Sequence, residues 1–92
     1  MPLKRGRIIG YDPNRRAFEF TMIDRARVAI IECEISSTAM DQLADIRGAM
    51  PAERGSQFLH LRDTIERIAS DLFDEGIATP SGMIRIFQHH VR

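Results

Sequence analysis

The chain has 92 residues, which is enough for one domain with a single modest hydrophobic core. Thirteen basic side chains balance thirteen acidic ones and 43% of the residues are hydrophobic, so the composition argues against a disordered chain and against a general polyanion binder. Cys33 is the single cysteine, so an intrachain disulfide is excluded and a reducing cytoplasm is the expected location.

The sequence of the N-terminal residues predicts a tail, a strand and a turn. Residues 1–6 are expected to form a flexible basic tail. Only Ile8 and Ile9 follow before a glycine, which is too short for a signal-peptide core or a membrane span, so we expect neither export nor a membrane partner. Residues 7–11 predict a short strand, and residues 12–15 combine aspartate, proline and asparagine as tight turns do.

Two stretches of alternating residues predict the next two strands. In the first, which begins near residue 16, Phe18, Phe20 and Met22 fall on one sheet face. After a turn near residues 24–25, the third strand has an apolar side and an acidic side. The apolar side carries Ala29, Ile31, Cys33 and Ile35, and the acidic side carries Glu32 and Glu34.

A short helix is expected next. Residues 36–38 supply hydroxyl groups for its N-cap, and Asp41 stands three residues after Thr38 as a capping-box partner. The helix is expected to end near Gly48. A longer helix is predicted over residues 57–76, because apolar side chains recur there at steps of three and four. These are Phe58, Leu61, Ile65, Ile68, Ala69, Leu72 and Phe73.

The boundaries of the long helix are marked by proline and glycine. Pro51 is allowed in a first helical turn and leaves an earlier start open, and Gly76 is expected to be a left-handed C-cap residue. Residues 83–91 predict a last strand. The expected fold is therefore one α+β domain spanning residues 1–92, with a small antiparallel sheet of about four strands in the order β-β-β-α-α-β and two helices packed on one face.

The sequence lacks a convincing catalytic or metal-binding pattern. His60 falls on the water side of the long helix, and the adjacent His89 and His90 are expected to point to opposite faces of the last strand. Cys33 lies between two glutamates and alternates with isoleucines, which indicates an unreactive core thiol. Because no Ser-His-Asp arrangement, phosphate-binding loop or Cys-x-x-Cys pair occurs, we expect no catalytic residue, no metal, no cofactor and no enzyme activity.

The basic N-terminal part allows two interpretations. Up to Val28 the chain carries seven basic and three acidic side chains, which is either a solvated edge or a nucleic-acid contact. The aromatic strand lacks the glycines of the RNA-recognition signature, which favours the solvated edge. The candidate nucleic-acid contacts are Lys4, Arg5, Arg7, Arg15 and Arg16.

Arg62 is unusual because it falls inside the apolar arc of the long helix. An unpaired guanidinium there would be costly, so we expect it to have an ionic partner. Glu66, four residues further on, is the nearest candidate, and Glu32 or Glu34 of the sheet are alternatives. The favoured interpretation is a structural ion pair between Arg62 and Glu66.

These features together resemble a known family. The chain is similar, over about residues 11–87, to the small bacterial family catalogued as domain of unknown function 1488. The likeness rests on Asp12, the aromatic strand that ends at Phe20, the sequence Cys-Glu-Ile-Ser at 33–36, and Arg-x-x-Ile-Glu-x-x-Ala at 62–69. The chain departs from the family pattern in the hairpin at residues 24–25, where family members tend to carry Asn-Gly or Asp-Gly. The resemblance implies a compact α+β fold and a bacterial cytoplasmic protein.

Self-association is the expected mode of action. A sheet of four strands keeps an edge with unpaired backbone groups, and Met83, Ile84 and Ile86 are more apolar than one covered face requires. We therefore expect a non-enzymatic homodimer that acts through an unidentified protein partner or as a regulatory accessory. A nucleic-acid-binding module that uses the basic N-terminal edge is the alternative.

Overall fold

A four-stranded sheet and two helices make up the structure, a computed structural model that describes residues 3–46, 48–76 and 82–91. Short 3₁₀ turns cover Pro51–Glu53 and Gln88–His90. None of the described helices is long and apolar enough to cross a membrane. The strands are β1 (Leu3–Asp12), β2 (Ala17–Asp24), β3 (Ala29–Ser36) and β4 (Ile84–Ile86), and the helices are α1 (Ser37–Ala44) and α2 (Arg54–Asp74).

The sheet has the strand order β1-β2-β3-β4. Tight hairpins join the first three strands, which are antiparallel, whereas β4 runs parallel to β3. The predicted α+β class and the placement of both helices on one face are confirmed, and the sheet is mostly antiparallel as expected, with β4 as the parallel exception. The connection from β3 to β4 contains both helices, and a crossover of that length returns the chain to the end where β3 began.

Both ends of the chain differ from the sequence-based boundaries. Leu3 is buried in the core opposite Asp24, so residues 3–6 belong to β1 and are not a tail. Residues 1–2 lie outside the described residues. The last strand is also shorter than the predicted 83–91, because the His90 N–H donates to the Phe87 carbonyl at 2.9 Å and closes a 3₁₀ turn.

The core lies between the sheet and α2, which contacts β1, β2 and β4. The Phe58 ring stacks on Phe18 with centroids 4.4 Å apart and lies 5.1 Å from the Phe20 ring. Cys33 and Ile84 are paired across β3 and β4 and are buried on the same side of the sheet. The alternation that placed the aromatic side chains of β2 on one face is therefore confirmed.

The helix boundaries follow local capping groups. Ser36 Oγ accepts the Ala39 N–H at 3.1 Å, so the first of the expected hydroxyl groups provides the N-cap of α1. The helix ends at Ala44, earlier than the predicted Gly48, because Asp45 adopts a left-handed conformation (φ 56°). The earlier start of α2 is correct, since a 3₁₀ turn from Pro51 leads directly into the helix. Gly76 is left-handed (φ 74°), as expected.

A close approach between β1 and β2 requires glycine at position 6. A Cβ atom there would lie 2.5 Å from both the carbonyl oxygen and Oγ1 of Thr21, at a register shift of β1.

We expect Gly6→Ala to lower the free energy of unfolding by about 1–3 kcal/mol, because a backbone atom must move. Chemical denaturation measures the change. Gly55→Ala is the matched control, since nothing lies within 4 Å of its Cβ position. Equal effects of the two substitutions would contradict the close approach.

Candidate functional site

The sheet face opposite the helices, here called the open face, is the candidate site. Side chains from neighbouring strands form rows across it, and the register of the strands sets these rows. Three of the rows carry the side chains considered below, and they are Glu19, Glu34 and Arg85; Thr21 and Glu32; and Lys4, Ile23 and Ile30.

Apolar side chains lie exposed on the open face. Ile30 is 71% exposed and Ile9, at the second register shift of β1, is 58% exposed. A depression of about 200 Å³ lies beside Ile9 and extends to Glu32 and Met83. β-branched residues in a strand ordinarily pack against other apolar side chains, so this degree of exposure is unusual.

The middle of the open face is acidic. Glu34 is buried, and its carboxylate receives two hydrogen bonds from Arg15, at 2.7 and 3.1 Å. These hydrogen bonds and the charge of Glu34 raise the pKa of Arg15. Arg85 Nε also lies 2.9 Å from Glu34, close enough for attraction between the charges. Among the described residues, no cation forms an ion pair with Glu19 or Glu32, so these two carboxylates supply the negative charge of the face.

The β2–β3 hairpin, at one end of the sheet, is basic. Arg25 and Arg27 are exposed in the hairpin, and Lys4 is exposed in the nearest row. Asp24 is buried, and one of its carboxylate oxygens accepts the Ala26 N–H at 3.0 Å. Its other oxygen lies 4.0 Å from Arg27, which remains 85% exposed. Lys4, Arg25 and Arg27 are called the basic tip below.

The structure does not gather the five predicted nucleic-acid contacts into one patch. Arg5 is on the helix side, where it binds Asp63 and Glu66. Arg15 crosses the open face to Glu34. The three remaining side chains are exposed at separate places on β1 and its hairpin, and they are Lys4, Arg7 and Arg16.

Arg62 and Glu66 lie together, as the spacing on the helix predicts. Arg62 Nε donates to Glu66 Oε2 at 3.0 Å, and the guanidinium lies 6.0 Å from the Phe58 ring centre. Arg5 binds the same carboxylate from β1, and Arg62 also donates to the Gly6 carbonyl at 3.4 Å. Glu66 therefore links β1 to α2, while Glu34, named as an alternative partner, lies on the opposite sheet face.

Removing the Arg62 guanidinium tests this link. We expect Arg62→Ala to lower the free energy of unfolding by about 1–2 kcal/mol, less than the 3–5 kcal/mol typical of a fully orphaned buried charge, because Arg5 still binds Glu66. Thermal unfolding provides the measurement. Arg67→Ala removes an exposed guanidinium from the same helix and should leave the melting temperature nearly unchanged. An unchanged melting temperature for Arg62→Ala would rule out an anchoring role.

Sequence reasoning missed a buried polar cluster at the N-terminus of α2. Arg54 is buried and its Nη1 donates to Asp41 at 2.6 Å and to Gln57 at 2.7 Å. Gln57 Nε2 also donates to Asp41 at 2.9 Å, and the Arg54 guanidinium lies 5.6 Å from the Tyr11 ring centre. Asp41 therefore joins the two helices and does not act as the expected capping partner of Thr38. The sequence does contain a signal for this cluster, because Arg54 extends the inward-facing side of α2 by one turn toward the N-terminus of the helix.

The charge state of Asp41 depends on this cluster. Burial opposes its ionisation, but hydrogen bonds from Arg54 and Gln57, together with the charge of Arg54, outweigh the burial and lower the pKa of the carboxyl from its ordinary value of 3.8. Because the folded-state pKa is lowered, ionised Asp41 stabilises the fold above pH 3.8, and this contribution is lost as the pH falls through the folded-state value.

Arg54→Leu should therefore destabilise the protein in a pH-dependent way. At neutral pH we expect a loss of about 3 kcal/mol, because the substitution leaves the Asp41 carboxylate without its cation. Below pH 3.8 the difference from the wild type should narrow as Asp41 takes up a proton. Urea denaturation at several pH values measures both effects, with Arg67→Leu as the exposed control. A difference that is constant with pH would contradict the role assigned to Asp41.

The residues with reactive side chains do not converge. Cys33 is buried, and burial raises the pKa of its thiol to about 12. His60 is exposed on α2 as predicted, whereas His89 and His90 lie in a 3₁₀ turn with rings 4.0 Å apart, not on opposite faces of a strand. Burial and the charge of His89 lower the pKa of His90. Within the described residues, no three metal-ligating side chains form a group that would hold an ion.

A larger depression, of about 470 Å³, lies between α2 and the connection from α1. Its lining is mainly apolar, with polar groups from Glu53, Gln57 and His60. Glu53 accepts the Met50 N–H at 2.8 Å and Gln57 binds Asp41, so two of these groups already stabilise the fold. Among the described residues this depression offers His60 and no second titratable group that is unengaged.

Comparison with known proteins places the chain in a family. The family described as "Protein of unknown function (DUF1488)" matches residues 5–86. The chain belongs to the DUF1488 family. A crystal structure of a DUF1488 protein of unknown function from Shewanella loihica PV-4 is similar, with a TM-score of 0.80 and 21% sequence identity, over 92% of this chain and 91% of that chain. At this identity the likeness shows the DUF1488 fold alone. No curated protein matches the chain.

Proposed function

We propose that this DUF1488 protein is a non-enzymatic bacterial cytoplasmic protein that works as a homodimer, acts through protein contacts or as a regulatory accessory, and uses the open face as its contact surface. The observation that carries the proposal is the exposure of Ile30, which is 71% accessible on a sheet face turned away from both helices. Met83 shares one depression with Ile30 and a second depression with Ile9. A second protein surface would remove these side chains from water.

The support for self-association differs from the sequence-based expectation. Ile84 and Ile86 are fully buried on the helix side, so they no longer count toward a dimer contact. Met83 remains part of the proposed dimer contact, because it lies beside the depression of the open face. The argument for association therefore rests on the open face and not on an excess of apolar residues in β4.

Two observations weigh against the other classes of function. Arg5 and Arg15 are engaged by Glu66 and Glu34, which removes two of the five cations that a nucleic-acid contact would use. Cys33 is buried and the histidines are distributed between α2 and the C-terminal turn, which counts against a shared catalytic centre. An interaction protein without catalysis accounts best for these placements.

Sedimentation equilibrium of the wild type and two variants at micromolar concentration tests the proposal. The wild type should sediment as a dimer, and Ile30→Glu should sediment as a monomer because a carboxylate replaces the apolar contact. Leu59→Glu is the matched control, since Leu59 is 58% exposed on the outer surface of α2. The control should remain dimeric. A monomeric wild type, or equal dissociation of both variants, would remove the support for the open face.

A further inference from the structure

The C-terminal turn, residues 87–91, is held by a hydrogen bond that a proton breaks. We propose that this turn is a pH-sensitive switch: it is closed while the His90 ring is neutral, and protonation of that ring opens it and releases Val91 from the core. The inference goes beyond the proposed function, since it concerns a change within one chain and requires no partner.

The hydrogen bond determines the protonation state of His90 in the closed turn. The Phe87 N–H donates to Nδ1 of His90 at 2.9 Å. Nδ1 accepts a hydrogen bond only when it carries no proton, so the closed turn contains the neutral ring with its hydrogen on Nε2. A proton on Nδ1 would set two N–H groups against each other. The closed turn and the charged ring therefore exclude one another.

This side-chain contact supports a turn that is weak without it. The His90 N–H donates to the Phe87 carbonyl at 2.9 Å, and the Val91 N–H donates to the Gln88 carbonyl at 3.2 Å. A short 3₁₀ turn has poor hydrogen-bond geometry and little stability of its own. The contact from the third residue back to the N–H of the N-cap residue is half of a capping box, with an imidazole in the position that a carboxylate or amide usually takes. The capping contact is thus the part of the turn that responds to pH.

The nearest charged groups favour the neutral form of His90. The His89 ring lies with its centre 4.0 Å from the His90 ring centre. Burial in the first place, and the charge of His89 in the second, lower the pKa of His90 from its ordinary value of 6.5. The carboxylate of Glu75, the C-cap residue of α2, acts in the opposite direction but does not outweigh them.

The elements that pack beside the turn have their charges engaged elsewhere. The turn contacts α1, where Asp41 is the ionisable side chain, and that carboxylate is bound by Arg54. In β4 the ionisable side chain is Arg85, which lies against Glu34 on the open face. These elements therefore do not counteract the effect of burial on His90.

The sign of the pH effect follows from the lowered pKa. The unfolded chain binds a proton at His90 near the ordinary pKa of 6.5, and the folded chain binds it only at a lower pH. Between these two values the unfolded state carries more protons, so the stability falls as the pH falls. Neutral His90 therefore stabilises the closed turn above pH 6.5, and this contribution is lost as the pH drops through the folded-state value.

Opening the turn changes the surface of the protein. Val91 is 6% exposed and belongs to the hydrophobic core. The turn also packs against α1, and Gln88 lines a depression beside Thr38 and Gln42. When the turn opens, Val91 and the side of α1 that the turn covers become accessible to water. A fall in pH thus uncovers apolar surface at one end of the molecule, while β4 keeps its pairing with β3.

Nuclear magnetic resonance of the His90 ring and of the Phe87 amide tests the switch in the wild type. At neutral pH the ring nitrogen shifts should show the hydrogen on Nε2, and the Phe87 amide should exchange slowly with solvent relative to an unstructured amide at the same pH. As the ring takes up a proton, with a midpoint below pH 6.5, the protection of this amide should fall about tenfold, because one hydrogen bond is lost. A hydrogen on Nδ1 at neutral pH, or protection that persists when the ring is charged, would overturn the proposal.

Substitutions of His90 separate the hydrogen bond from the titration. In His90→Gln the amide oxygen accepts the Phe87 N–H as in an ordinary capping box and takes up no proton, so the protection should persist at about pH 5. His90→Phe keeps an aromatic ring without an acceptor and should leave the Phe87 amide unprotected at every pH. His60→Gln makes the first replacement at an exposed position of α2 and should open with the wild-type midpoint. Circular dichroism verifies the fold of each variant.

The variants also distinguish the switch from a general loss of stability at acid pH. Because His90→Gln and His90→Phe should shift the protection of the Phe87 amide in opposite directions, a uniform destabilisation does not reproduce both results. A His90→Gln protein that loses this protection at acid pH as the wild type does would assign the transition to another group and overturn the switch. A His60→Gln protein that no longer shows the transition would do the same.

Discussion

The packing of α2 across one sheet face is the interaction on which the rest of the structure depends. Phe58 is fully buried against Phe18 and Phe20, and the burial of three aromatic side chains removes a large apolar area from water. The described residues form two α-helices, and both lie on that face. The opposite face is therefore left with exposed β-branched side chains such as Ile30 as a direct consequence of how the core is built.

The charged residues divide into two groups with different roles. Glu66 and Asp41 are withdrawn from water and bound by arginines, because a buried carboxylate is tolerated only with a partner. These pairs join the helices to each other and to β1, so they stabilise the fold and are unavailable to a ligand. Glu32 lies outside these clusters, and among the described residues it has no ion-pair partner.

Part of the fold and of the candidate site could be predicted from the sequence because some signals are local. Alternation in β2 and the helical period of α2 depend on residues a few positions apart, and the Arg62–Glu66 contact follows from one helical turn. The cluster around Arg54 joins residues from two helices and β1, and the pairing of Arg15 with Glu34 spans two strands. Such contacts depend on which elements become neighbours, and no local pattern reports that.

The sequence by itself determined the α+β class, the sheet face that Phe18 and Phe20 occupy, and the left-handed end of α2 at Gly76, because each depends on periodicity or on the conformational freedom of one residue. Only the tertiary structure decided that β4 is parallel, that the basic N-terminal residues are divided between two faces, and that the open face has an acidic middle and ends beside the basic tip. Those properties arise when distant segments are brought side by side, and it is the packing of the whole chain that selects which segments meet.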